Sequence, residues 1–247
     1  MNVIGVIPAR YSSTRFNGKV LADLCGKPLL QHVWERAKEA RLLDELMIAC
    51  DDERVFQAAS GFGAKTVMTA KAHACGTDRI SEVVNPLDVR IVINIQADEP
   101  LIHPTMIDAL AQTLLDDGSL SMATLMHKID DTALIHDPHV VKVTVDKNGF
   151  ALYFSRAPIP FCAPNSEVGT PDYYKHIGLY AYTKDFLFVY KNLPVSRLEQ
   201  IERLEQLRVL QEGYRIKVIE TKHDTIGVDT PEDLEKVRQY LENRKGQ

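Results

Sequence analysis

Five short apolar runs recur along the first half of this chain: Val3–Ile7, Leu46–Ala49, Thr66–Met68, Ile91–Ile95 and Met122–Leu125. Each has the length of a buried strand rather than of a helix. Between them lie stretches with apolar residues at helical spacing. In Pro28–Ala40 the stripe is Leu29, Leu30, Val33, Trp34 and Ala37, with Pro28 in the first turn, where a missing N–H costs nothing. Asp52–Ser60 and Thr105–Leu115 follow the same pattern. Strand and helix in alternation predict right-handed crossovers and a largely parallel sheet with helices on both faces.

The texture changes after residue 140. Val140–Val145 and Ala151–Phe154 flank Asp146-Lys147-Asn148-Gly149, a hairpin signal. His176–Tyr182 reads as a strand and Leu198–Gln211 as one amphipathic helix. Val218 and Ile219 belong to a further strand, and Thr230-Pro231 opens the last helix. The expected fold is α/β: one Rossmann-like domain of 247 residues with an antiparallel excursion around 120–190. Such an excursion can cover an active site or meet another subunit.

In parallel α/β sheets ligands bind at the carboxyl ends of the strands. The loop after the first run, IPARYSSTRFNGK, therefore stands in prime position. Backbone N–H groups near Ser12, Ser13 and Gly18, with Arg10, Arg15 and Lys19, could cradle a triphosphate. The spacing fits neither the Walker A loop nor the dinucleotide fingerprint. A solvated basic loop, or a set of structural ion pairs, would use the same residues. With a formal charge of −5 the chain lacks the basic face a nucleic-acid binder needs, so a local basic cluster carries more weight.

Carboxylates stand beyond other strands. INIQADEP places Gln96, Asp98 and Glu99 after its apolar run, and TIGVDTPEDL places Asp229 before a helix. Acids opposite a phosphate loop suit Mg²⁺, which takes one or two carboxylates with phosphate and water. Asp229 alone could equally favour the helix dipole. In HACGTDRI, Thr77 could cap a helix while Arg79 reaches a base or substrate. His176, Gly178, Tyr180 and Tyr182 share one strand face, though a satisfied core histidine explains His176 as well. Glu205 and Gln206 read as solvated helix surface. Cys25, Cys50, Cys75 and Cys162 form no C-x-x-C pair and are expected as mostly buried thiols. No leader or membrane-length apolar stretch is evident, so a cytoplasmic protein without membrane insertion is expected.

Taken together, IPARYSSTRFNGK, GTDRI, NIQADEP, ALYFSRAPIP, KHIGLYAY, LEQLRVL and GVDTPEDL resemble, in order, the 3-deoxy-manno-octulosonate cytidylyltransferases of Gram-negative bacteria. ALYFSR with LEQLR separates that family from broader sugar-nucleotide transferases. The resemblance implies a homodimeric, Mg²⁺-dependent enzyme of lipopolysaccharide synthesis. It would convert CTP and the eight-carbon acid sugar KDO to CMP-KDO and pyrophosphate. By motif position, Arg10, Ser13, Arg15 and Lys19 would hold the CTP phosphates, with Arg79 beside the nucleotide. Asp98 and Asp229 would hold Mg²⁺, and with Lys19 and Arg10 would carry catalysis. Gln96, Arg156, His176, Tyr180, Glu205 and Gln206 would surround the sugar, Arg156 meeting its carboxylate. The 8-amino analogue of KDO, another acid sugar, and a non-catalytic nucleotide-binding module stay open as alternatives. Two positions depart from the family pattern. Asn17 replaces a usual Pro and loses a fixed φ, and Ala97 replaces a usual Gly, which would strain the loop if that position needed φ > 0.

Overall fold

The computed structural model describes residues 1–13, 15–73, 75–163 and 171–245. In chain order the elements are β1 (Val3–Ala9), a 3-10 turn (Lys19–Leu21), β2 (Asp23–Leu24), β3 (Lys27–Pro28), α1 (Leu29–Ala37), β4 (Glu45–Cys50), α2 (Glu53–Gly61), β5 (Lys65–Met68), α3 (Gly76–Val84), β6 (Ile91–Asn94), α4 (Pro104–Asp116) and β7 (Met122–Lys128). There follow α5 (Ala133–His136), β8 (Lys142–Val145), β9 (Ala151–Ser155), β10 (Tyr174–Thr183), α6 (Lys184–Asn192), α7 (Arg197–Glu202), α8 (Leu207–Gln211), β11 (Lys217–Glu220) and α9 (Pro231–Lys245).

The main sheet runs β11-β7-β10-β6-β1-β4-β5, with the β8–β9 hairpin attached to β10. Pairings β1–β4, β1–β6, β4–β5 and β7–β11 are parallel. β10 is antiparallel to both neighbours, so apart from the attached hairpin one reversed strand sits inside a row of strands otherwise running one way. Side chains alternate between two cores, as strand geometry requires. In β1, Val3 and Ile7 enter the core built with α1 and α4, whereas Ile4 and Val6 face α3 and α6. Helices on both faces and a mostly parallel sheet are thus present.

Local chemistry sets the element ends. Asp52 caps α2 by accepting the Arg54 amide at 3.0 Å, and Thr183 caps α6. Pro28, expected inside the first turn, stands just before α1 with ψ 143. The hairpin turn forms as expected: Asp146 accepts the Asn148 and Phe150 amides at 2.8 and 2.9 Å, and Gly149 takes φ 74.

Two expectations need correction. Leu198–Gln211 is not one helix. Arg203 ends α7 in the left-handed conformation (φ 55, ψ 47), and α8 begins only at Leu207. Of the cysteines, only Cys50 is buried; Cys25 and Cys75 are half-buried and Cys162 is exposed.

Candidate active site at the carboxyl edge of the sheet

Arg10 follows β1 directly. The loop after it closes where the Gly18 amide donates to the Tyr11 carbonyl at 2.9 Å. Gly18 has φ 71, where a side chain would strain the backbone, and a Cβ there would lie a tight 3.2 Å from the Tyr11 ring. The turn that follows aims Lys19 back across the edge. Its ammonium donates to Asp98 Oδ2 at 2.5 Å, Asp229 Oδ1 at 3.0 Å and the Val228 carbonyl at 3.1 Å. Burial opposes the charge on Lys19, but Asp98 and then Asp229 outweigh it and hold its pKa above the ordinary lysine value. Arg15 pairs with Asp229 Oδ2 at 2.9 Å from the solvent side. Ser13 lies half-buried in the same loop. One terminal guanidinium nitrogen of Arg10 is buried and has no hydrogen-bond partner among the described residues. A buried donor without an acceptor is costly, and an incoming anion would satisfy it.

Asp229 lies well beyond β11, so the sheet alone does not place it. The Val228 amide donates to the Asp98 carbonyl at 2.8 Å, and this one bond brings the two carboxylates together. Because both oxygens touch one lysine nitrogen, they lie within the sum of those two distances of each other. The donor set is hard oxygen throughout. Among the described residues no cluster of three or more His, Cys, Asp or Glu forms a closed cage. Two convergent carboxylates without a cage fit Mg²⁺, which draws its remaining ligands from phosphate and water.

Next to this edge, on the face of α3 and α6, is a cavity of about 250 Å³. Its wall is the polar face of β10, namely His176, Gly178, Tyr180 and Tyr182, with Asn94 at the end of β6 and Gln96 just beyond it. The reversal of β10 is what brings His176 to the carboxyl ends of its neighbours, and Tyr180 pairs in register with Asn94. His176 is buried, bonds Thr124 Oγ1 through Nε2 at 3.0 Å and meets the Phe154 ring edge-on. Burial pushes its pKa down to about 3, so the imidazole is neutral. The hydroxyls of Tyr180 and Tyr182 are also held neutral by burial, that of Tyr182 between Asn94 and Thr77. Thr77 is therefore a wall residue in the first turn of α3, whose cap is Cys75.

The other wall comes from the break after α7. Arg203, Leu204, Glu205 and Gln206 all line the cavity. An unbroken helix would have left Glu205 and Gln206 on its surface. The Glu205 carboxylate is reached by solvent through the cavity mouth, yet surrounding protein desolvates it and raises its pKa, with Arg208 opposing.

Two residues expected at the site are committed elsewhere. Arg79 is 0% exposed. Its guanidinium pairs with Asp51 at 2.9 Å and bonds Thr69, forming a strut beneath the ends of β4 and β5. Arg156 donates from Nε to the Glu202 carbonyl and from Nη1 to the Pro138 carbonyl, each at 2.8 Å, and does not line the cavity. Ala97 is compatible with its loop, since Cys25 and Arg203 are the positive-φ residues among the described non-glycines. Sequence reasoning passed over Asn94 and Tyr190. Asn94 is a polar residue inside an apolar strand, and that interruption was the available signal; Tyr190, on an ordinary amphipathic helix, gave none.

A family model described as Cytidylyltransferase matches residues 4–219. A 3-deoxy-manno-octulosonate cytidylyltransferase of Solibacter usitatus (strain Ellin6076) is 54% identical over 95% of this chain and 92% of its own length. One from Geobacter sulfurreducens is 47% identical over 98% of this chain and 100% of its own. The solved structure of a CMP:2-keto-3-deoxy-manno-octonic acid synthetase complexed with CTP superposes with TM-score 0.92 at 45% identity, covering 99% of this chain and 100% of that one.

Proposed function

This chain belongs to the 3-deoxy-manno-octulosonate cytidylyltransferase family, and from that membership we propose how its own residues carry the reaction. The enzyme activates KDO with CTP, giving CMP-KDO and pyrophosphate. The anomeric hydroxyl of the sugar attacks the α-phosphorus in line; the new O–P bond forms as the bond to the β-phosphate oxygen breaks. Positioning and charge neutralisation supply most of the rate in such transfers.

Lys19 is the observation that carries this reading. A charged lysine held by two carboxylates at the strand edge can turn to the phosphates when they arrive, leaving Asp98 and Asp229 free. Mg²⁺ between those carboxylates would polarise the α-phosphate and offset the charge of the triphosphate. Arg10 offers its unpartnered guanidinium nitrogen to a phosphate oxygen, and Arg15 and Ser13 border the same loop. The cavity takes the sugar acid: Gln96, Tyr180, Glu205 and Gln206 present hydrogen-bonding groups to its hydroxyls while neutral His176 closes the floor. Arg156 would need to release a carbonyl to meet the sugar carboxylate.

The excursion is assigned to a homodimer contact. Exposed Leu152 on β9, Phe161 beyond it and Ile201 on α7 supply apolar surface for that purpose. Residues 164–170 of the excursion lie outside the described residues. Among the described residues no helix is long and apolar enough to cross a membrane, and a CTP-consuming enzyme is assigned to the cytoplasm.

Pyrophosphate release from CTP tests the proposal, measured with Mg²⁺ and KDO, with the 8-amino analogue, without sugar, and after chelation. Sugar-dependent release that stops on chelation and restarts with Mg²⁺ is expected. Release unaffected by chelation would remove the metal role of Asp98 and Asp229. CTP binding without release on either sugar would leave a nucleotide-binding module.

A further inference from the structure

The segment after Ser196 writes Leu-Glu-Gln twice, at 198–200 and 204–206. The two copies do different things. In the second, Glu205 and Gln206 line the cavity. In the first, Glu199 points away from it. Glu199 is 8% exposed and accepts both Nε and Nη2 of Arg208, the Nε bond measuring 2.8 Å. The same carboxylate accepts the Ser196 amide at 3.2 Å, completing the capping box of α7. One side chain therefore ties the start of α7 to the body of α8.

Between these anchors the backbone turns through Arg203 at φ 55, a left-handed conformation unfavourable for a non-glycine residue. Nothing in Arg203 itself favours that turn over continued helix, so the surroundings must impose it. The Glu199–Arg208 fork fixes the separation of the two short helices. At the far end of α7, Glu202 accepts the Ser155 hydroxyl at 2.7 Å and the Arg156 amide at 2.9 Å, fastening the helix to the end of β9. Glu199 and Glu202 thus hold α7 on two sides while the chain turns. Arg208 also lies 5.7 Å from the ring centroid of Tyr190, another cavity wall residue.

We propose that Glu199 and Arg208 are positioning residues for the sugar: their buried fork holds the turn at Arg203 so that Glu205 and Gln206 face the cavity instead of a helix surface. A planar two-pronged contact sets orientation as well as distance, which a lysine at 208 would not reproduce. The inference rests on the assignment of the cavity to the sugar acid.

Glu199→Gln is the informative variant, because an amide oxygen can still accept the Ser196 amide while the charged fork is lost. Arg208→Lys and Arg208→Met accompany it, with Glu205→Ala and Gln206→Ala as references. For each, KM for KDO, kcat, CTP affinity by calorimetry and the thermal midpoint are measured. KM for KDO is expected to rise about tenfold or more in Glu199→Gln and in Arg208→Lys, with CTP affinity retained. Unchanged KM in both, while Glu205→Ala and Gln206→Ala raise it, would overturn the positioning role and leave the cavity assignment standing. Equal losses of KDO and CTP affinity with a lowered midpoint would make the pair merely structural and overturn it too. If Glu205→Ala and Gln206→Ala leave KM for KDO unchanged, the cavity assignment itself falls. Should Arg208→Met fail to fold, the two conservative variants decide alone.

Discussion

The amide of Val228 donates to the carbonyl of Asp98 at 2.8 Å, and beside that bond the ammonium of Lys19 touches both Asp98 and Asp229. Three segments far apart in the chain meet at one backbone hydrogen bond. The carboxylates lie on coil rather than in the sheet, so their spacing depends on that bond and on the lysine between them.

Asp98→Asn is expected to fold normally and to lose about 10²–10³ in kcat, the usual loss when one charge-stabilising group leaves a transfer site. The protein should keep its circular dichroism and thermal midpoint. Near-normal turnover at saturating Mg²⁺ would take Asp98 out of the chemistry.

Arg79 is expected to act through stability. Arg79→Met leaves the Asp51 carboxylate half-enclosed without its partner, which should cost about 3–5 kcal/mol in urea unfolding. The double variant Arg79→Met/Asp51→Leu should recover most of that. A double variant as unstable as the single would refute the strut.

At Arg203 backbone conformation decides. Arg203→Val should cost about 1–2 kcal/mol, because a β-branched side chain resists φ 55. Arg203→Gly should cost nothing of that kind. Equal melting midpoints for the two variants would show that the turn is not strained.

Stability should also depend on pH through His176. Its folded pKa, about 3, lies below the ordinary 6.5, so the unfolded chain binds the proton better. Its contribution is therefore complete above pH 6.5 and is lost as pH falls toward 3, by about 1.4 kcal/mol per pH unit. Urea unfolding between pH 4.5 and 7 should show a shallower slope for His176→Gln. Identical slopes would mean that the imidazole is not held neutral.

The sheet and the basic loop were legible because both are local. Apolar runs of strand length between amphipathic stretches name a parallel sheet, and the loop after β1 is placed by that order alone. β10 was legible as a strand, and its polar face by alternation. Its reversal, which makes that face a cavity wall, depends on partners in β6 and β7, far away along the chain. The break at Arg203 was hidden for another reason. Ser196 and Glu199 spell a capping box that marks where α7 starts, but left-handed backbone at an arginine has no spelling. Glu205 and Gln206 therefore read as helix surface. Arg79 misled in the opposite sense, since a lone arginine after a turn says nothing of the Asp51 waiting in a different loop.

β10 lies in the middle of the sheet and is among its last strands to be made. On a growing chain β6 and β7 exist without the strand that separates them, and each offers an unpaired edge until residue 183 has emerged. Insertion of β10 closes both edges at once and completes the cavity wall in the same event. Its long-range pairings make that closure the slow part of folding. A nascent or truncated chain ending before β10 is accordingly both inactive and adhesive, and a substitution that weakens β10 lowers the yield of enzyme before it alters any rate constant of the enzyme that forms.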